Sequence, residues 1–82
     1  MNNDNLVRMA NRIGAFFASM PDRDEARDGI AGHLRRYWEP RMRRQLMAHV
    51  DAGGAGMDAL VLEAVATHAE ALRPAPAPGP AA

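Results

Sequence analysis

From Asp4 onward the apolar residues Leu6, Met9, Ala10, Ile13, Phe16, Phe17 and Met20 fall three and four positions apart, the period of one face of a helix. They predict an amphipathic helix near residues 4–19, with Asp4 accepting from the free amides of the first turn and Met20-Pro21 as the stop. Its wide stripe, both phenylalanines included, is expected to form core, and Arg8 and Arg12 fall on the polar side. A second helix is predicted near 22–38. Asp22 and Glu25 have the spacing of a capping box, Asp24 adds negative charge at the same end, and Ala26, Ile30, Leu34 and Tyr37 or Trp38 recur at four and three. Gly29 and Gly32 interrupt it, each at a cost of about 1 kcal/mol of helix propensity relative to alanine. Either they admit a close neighbour, or the helix is weak and completed by a partner.

Glu39-Pro40 breaks the chain direction, because proline disfavours the α conformation in the residue before it and suits the first turn of a new helix. A third helix is expected near 40–50, with Met42, Leu46, Met47 and Val50 inward and Arg41, Arg43 and Arg44 mostly outward. Gly53, Gly54 and Gly56 end it as a loop or hinge. The fourth helix, near 58–72, has Asp58 as cap and Met57 with Leu62 as a hydrophobic staple. Its apolar face takes Leu60 or Val61, Ala64 or Val65, His68 and Leu72. Prolines at every second position from 74 to 80 cannot sustain a helix. With no strand pattern and no internal repeat, the fold class is all-α. The expected architecture is a small bundle of about four short helices in a domain of residues 1–73, followed by a disordered Pro/Ala-rich C-terminal tail, 74–82.

Composition narrows what such a bundle is for. A core drawn from 82 residues buries only roughly 60% of the surface its unfolded chain exposes. Without a single cysteine there is no disulfide and no thiolate metal site to reinforce it. Docking onto something larger is the remaining reinforcement. The N-terminus lacks a basic segment followed by an apolar run, and nothing approaches the roughly 20 apolar residues of a membrane span, so a cytoplasmic protein away from membranes is expected. All ten basic residues are Arg and none is Lys; selection for bidentate contacts and genomic base composition both account for that.

Catalytic chemistry is thin. No two of His33, His49 and His68 have the i,i+4 spacing of a helical metal site. Asp51 follows His49, and Glu70 follows His68, at a separation that turns the side chains to different faces of a helix. Ser19 and Thr67 are the only hydroxyl side chains of their type, and Thr67 does not face the adjoining His68. The glycine segment lacks both the preceding strand of a dinucleotide fingerprint and the Gly-Lys-Ser or Gly-Lys-Thr end of a P-loop. These residues predict no stand-alone enzyme and no metal or cofactor site.

What stands out is residues 33–44, with five arginines, Glu39 as the one acid, and the only Trp and Tyr. Three readings compete: a solvated polar face with Trp38 in the core, a nucleic-acid site, and a protein interface. Net charge of zero and the lack of a distinct recognition helix argue against nucleic acid. Trp, Tyr and Arg are the residue types enriched at interface hot spots. The candidate partner interface is Arg35, Arg36, Tyr37, Trp38, Arg41, Arg43 and Arg44.

Three blocks also carry a family resemblance: residues 5–17, from Asn5-Leu6-Val7-Arg8-Met9 to Gly14-Ala15-Phe16-Phe17; His33-Leu34-Arg35-Arg36-Tyr37-Trp38-Glu39-Pro40-Arg41-Met42; and Leu60-Val61-Leu62-Glu63-Ala64. In order and spacing they resemble the delta subunit of the cytoplasmic NAD-dependent, molybdenum-containing formate dehydrogenases, over about residues 5–66. The resemblance implies a non-catalytic accessory subunit of a complex that oxidises formate to carbon dioxide and reduces NAD. Its partners would be the larger subunits, foremost the molybdenum-containing catalytic one. The molybdenum cofactor, iron-sulfur clusters, FMN and NAD site would belong to those subunits and none to this chain. Its role would be assembly, stability or cofactor loading. The segment beyond Arg73 lies outside the resemblance. A helical adaptor of an unrelated complex and a small Arg-based nucleic-acid-binding module are the alternatives.

Overall fold

A computed structural model describes residues 2–74. Among them are five helices and no strand: α1 (Asn3–Phe17), α2 (Arg23–Tyr37), α3 (Pro40–Asp51), α4 (Ala59–Thr67) and α5 (Ala69–Leu72). The first three match the predicted spans to within two residues at each end. From residue 75 onward the predicted tail lies outside the described residues.

The helix ends follow local chemistry. Asn2, rather than Asp4, caps α1, its Oδ1 accepting from Asn5 N at 2.8 Å. Asp22 caps α2 as expected, accepting from Asp24 N at 2.8 Å and Glu25 N at 3.3 Å. Trp38 then leaves the helix in an extended conformation, and Pro40 opens α3 where its missing N–H costs nothing. The loop after α3 holds Gly53, Gly54 and Gly56 at φ of 118°, 65° and 83°, left-handed conformations that residues with a Cβ rarely adopt. Asp58 precedes α4 but makes no side-chain cap bond. Its backbone N–H instead donates to Asn11 Oδ1 at 2.8 Å, while Asn11 Nδ2 donates to Gly56 O at 2.9 Å. One side chain of α1 thus holds the glycine loop and the start of α4.

The single fourth helix predicted over 58–72 is two. It breaks at His68 (φ −110°, ψ 26°), directly after Thr67, two residue types of modest helix propensity. At the break His68 Nε2 lies 2.8 Å from Asp28 Oδ1 on α2, near enough for an ion pair when protonated but off the alignment of a hydrogen bond. Beyond it, α5 packs on α2, α3 and α4 and carries Leu72 into the core.

Short apolar α4 is the centre of the bundle, packed mainly on α2 and also on α1, α3 and α5; a helix with so many apolar positions belongs in such a place. Val61, Ala64 and Val65 are wholly buried, and Leu6, Ala10, Ile30, Leu34, Leu46 and Leu72 surround them. A Cβ on Gly14 would collide with Val61 Cγ2, so the glycine sets the close approach of α1 to α4. The predicted stripe of α1 needs correction here. Its buried line is Leu6, Ala10 and Gly14, with Ile13 and Phe17 only partly covered; Met9 is exposed and Phe16 is 74% exposed. Phe16 lies about 160° around the helix from Gly14 at 3.6 residues per turn, too far to share the core.

Candidate functional site

The residues nominated by sequence do not form one surface. Trp38 is 6% exposed and belongs to the core, because the extended backbone before Pro40 turns it inward from the end of α2. Arg43, expected to point outward, is half-buried and donates from Nε to Trp38 O (3.3 Å) and from a terminal nitrogen to Leu72 O (3.1 Å). It ties the last carbonyls of α2 and α5 together, where a cation is favoured by the helix dipole. Arg35, Arg36, Arg41 and Arg44 are exposed. Arg44 borders a shallow groove on α3 with Asp51 and Arg73, whereas Arg36 and Tyr37 turn to the opposite neighbour, α1.

There the structure assembles something the sequence reading missed. A row of rings crosses from α1 to α2: Phe16 and Phe17 meet edge to face with centroids 5.1 Å apart, Phe17 and His33 at 6.5 Å, His33 and Tyr37 at 4.8 Å. Phe16 and Tyr37, 74% and 67% exposed, form its two ends. Two clefts adjoin along the row and share Phe17 and His33. One, of about 290 Å³, has apolar walls with Arg12 and Ile13 at its edge. The other, of about 260 Å³, runs over Gly29 and Gly32 to Asp28, Arg36 and Tyr37.

The two glycines of α2 part company at this face. A Cβ on Gly29 would lie 2.5 Å from the Phe17 ring, so Gly29 is the seat of that ring. Gly32 has no atom within 4 Å of the same position. No described side chain packs against that position, and Gly32 lies open along the second cleft. That unexplained glycine, together with an α1 stripe too wide for one buried line, was the available sequence signal for the face.

Charges are distributed unevenly around it. Glu63 on α4 accepts from Arg23 Nε at 3.0 Å and from Arg27 at 2.9 Å, and Arg27 also pairs with Asp24. The hydrogen bond from Arg23, ahead of the one from Arg27 and of both positive charges, holds the Glu63 carboxyl down at about 2 against partial desolvation. The same bond raises Arg23. Asp28 faces His68, and Asp51 lies 4.0 Å from Arg73. Among the described residues Arg12 and Arg36, at the two clefts, have no acidic partner.

Ser19 donates its hydroxyl to Phe16 O at 3.1 Å, His33 is flanked by rings rather than by an acid, and no three potential metal ligands converge among the described residues. An exposed aromatic patch rimmed by arginine is chemistry for holding a partner.

Compared with known families, residues 5–65 match the family FdsD, described as the NADH-dependent formate dehydrogenase delta subunit. Comparison with curated proteins and with solved structures gave no significant match.

Proposed function

This chain belongs to the delta-subunit family of NADH-dependent formate dehydrogenases, and we propose that it is a non-catalytic accessory subunit that docks on a larger subunit of such a complex in the cytoplasm. The match over residues 5–65 carries the proposal. The occupant we assign is the molybdenum-containing catalytic subunit, and the contribution is to assembly, stability or cofactor loading.

The donor set supports a subunit that leaves redox chemistry to others. Molybdenum cofactor, iron-sulfur clusters, FMN and NAD all need protein ligands or phosphate cradles. This chain has no cysteine, and its three left-handed glycines lead into α4 with no strand before them. No helix of the described residues is long and apolar enough to cross a membrane.

Co-expression with the larger subunits tests the reading. The expected result is stoichiometric retention on the molybdenum-containing subunit. Omission of this chain should lower molybdenum and iron content, or activity, per assembled complex. The free chain should reduce no NAD with formate. A chain that elutes alone, beside a complex of unchanged cofactor content and activity, would overturn it.

A further inference from the structure

The break between α4 and α5 holds a titratable contact. His68 Nε2 is shielded from water and has no hydrogen-bond partner among the described residues, yet it lies 2.8 Å from Asp28 Oδ1 on α2. A hydrogen bond needs direction as well as distance, and this pair has only the distance. Coulomb attraction needs no direction. When the imidazole gains its second proton the contact becomes an ion pair; without that charge the ring nitrogen faces the carboxylate misaligned, and no water reaches it to compensate.

What the contact holds is α5. A single turn of helix is too short to stand by itself, and Ala69–Leu72 has no side-chain cap at its start. His68 is both the last link of α4, its N–H bonded to Ala64 O at 3.1 Å, and the first of α5, its carbonyl accepting from Leu72 N at 3.0 Å. Other charged groups surround the junction. On α2, Arg27 pairs with Asp24 and with Glu63 of α4, and Arg35 lies about two turns from Asp28 on the same side of the helix. From α3 come Arg43, which donates to Leu72 O, and Asp51, 4.0 Å from Arg73; α5 itself carries Glu70. Of these side-chain types only histidine ordinarily changes charge near neutrality.

We propose that His68 is a proton-operated latch: the imidazolium closes on Asp28 and fastens α5 to α2, and loss of the proton lets α5 open. Opening withdraws Leu72 from the core and releases Arg43 from the Leu72 carbonyl. The stability added is present while His68 carries its proton and is lost as pH rises through its titration. Asp28 is 69% exposed, which keeps the effect small and makes it sensitive to salt. The latch needs no partner and operates in the free chain.

Amide hydrogen exchange in the full chain reads the latch at Leu72 and Arg73, whose N–H groups bond to His68 O and Ala69 O. Protection, corrected for the intrinsic pH dependence of exchange, is compared at about pH 5 and about pH 8, the two sides of the ordinary histidine range and above the acid limb of Glu63. In the unsubstituted chain it should fall roughly two- to fivefold at the higher pH, the worth of a partly exposed ion pair, and the fall should shrink in about 1 M salt. Asp28→Asn, which keeps the size and an acceptor without the charge, should abolish the pH dependence. His68→Gln should show the lower protection at both values, and His33→Gln, in the aromatic row, should behave as the unsubstituted chain. Equal protection at the two pH values in the unsubstituted chain overturns the latch. So does a pH dependence that survives Asp28→Asn or vanishes with His33→Gln. Circular dichroism establishes that each variant is folded; if Asp28→Asn is not, a fall in the unsubstituted chain that salt leaves unchanged overturns the latch in its place.

Discussion

The ring of Phe17 occupies the place where Gly29 lacks a Cβ, 2.5 Å from the position that atom would take. Helix propensity and packing therefore oppose each other at Gly29 and agree at Gly32. Alanine at Gly32 is expected to stabilise the free chain by about 1 kcal/mol. At Gly29 the same gain is offset by the roughly 1–3 kcal/mol that overpacking costs, and the ring of Phe17 must shift. Urea unfolding of the two variants, with the Phe17 ring followed by NMR, checks the contrast; equal stabilisation by both would contradict it.

Asn11 is expected to matter more than a polar residue on an outer helix usually does. Asn11→Ala removes a donor to Gly56 O and an acceptor from Asp58 N–H, two bonds with a combined effect of about 1–3 kcal/mol. Asn11→Asp keeps the acceptor and sets a carboxylate against the Gly56 carbonyl, so it should recover only part of the loss. Denaturation midpoints report the size. Faster amide exchange at Asp58 reports the place.

Arg43 should separate from its neighbours on α3. Truncation to alanine leaves the Trp38 and Leu72 carbonyls without their cation, at an expected cost of about 1.5–3 kcal/mol. Arg41→Ala and Arg44→Ala should stay within about 0.5 kcal/mol. Lysine at position 43 offers a point charge in place of a fork, and is expected to rescue incompletely. Thermal unfolding of the four variants would show the order.

Stability should fall on the acid side through Glu63. Its folded carboxyl sits at about 2, below the usual 4.5, chiefly through the hydrogen bond from Arg23. A depressed carboxyl contributes stability that is complete above the unfolded value. That stability is lost as pH drops from about 4.5 toward 2. The Glu63 side chain is 40% exposed, so salt should flatten the dependence. Glu63→Gln should abolish this part of the acid limb. A carboxyl titration by carbon NMR at the ordinary value would refute it.

Period and punctuation made most of the bundle legible. Asp22, Pro21 and Pro40 act locally, and they set the bounds of α2 and the starts of their helices without help from the rest of the chain. Phe16 and Arg43 were not legible for the opposite reason. A phenylalanine at helical spacing is indistinguishable from core until the buried line is known to pass through Gly14. An arginine among arginines declares no partner when the carbonyl it meets, that of Leu72, lies 29 positions away. Asn11 is the same case, since its partners Gly56 and Asp58 are in a loop 45 and 47 residues downstream. Thr67 and His68 are only of modest helix propensity, too weak a signal to place the break at His68. The aromatic face escaped because it is made by two helices, each of which offers only half a row.

The fit of Val61 against Gly14 also determines when the chain can fold as it is made. Synthesis delivers α1 and α2 first, with the surface around Gly14 still uncovered. Val61, Ala64, Val65 and Leu72, all fully buried in the finished bundle, are supplied only by the last third of the chain. A product terminated before Val61 therefore lacks the centre of its own core and emerges as α1, α2 and α3 without the helix they pack on, whereas one that reaches Leu72 carries every side chain buried among the described residues. The folding of the bundle is thereby tied to its 3′ codons, since the helix that fills the core is encoded late in the chain.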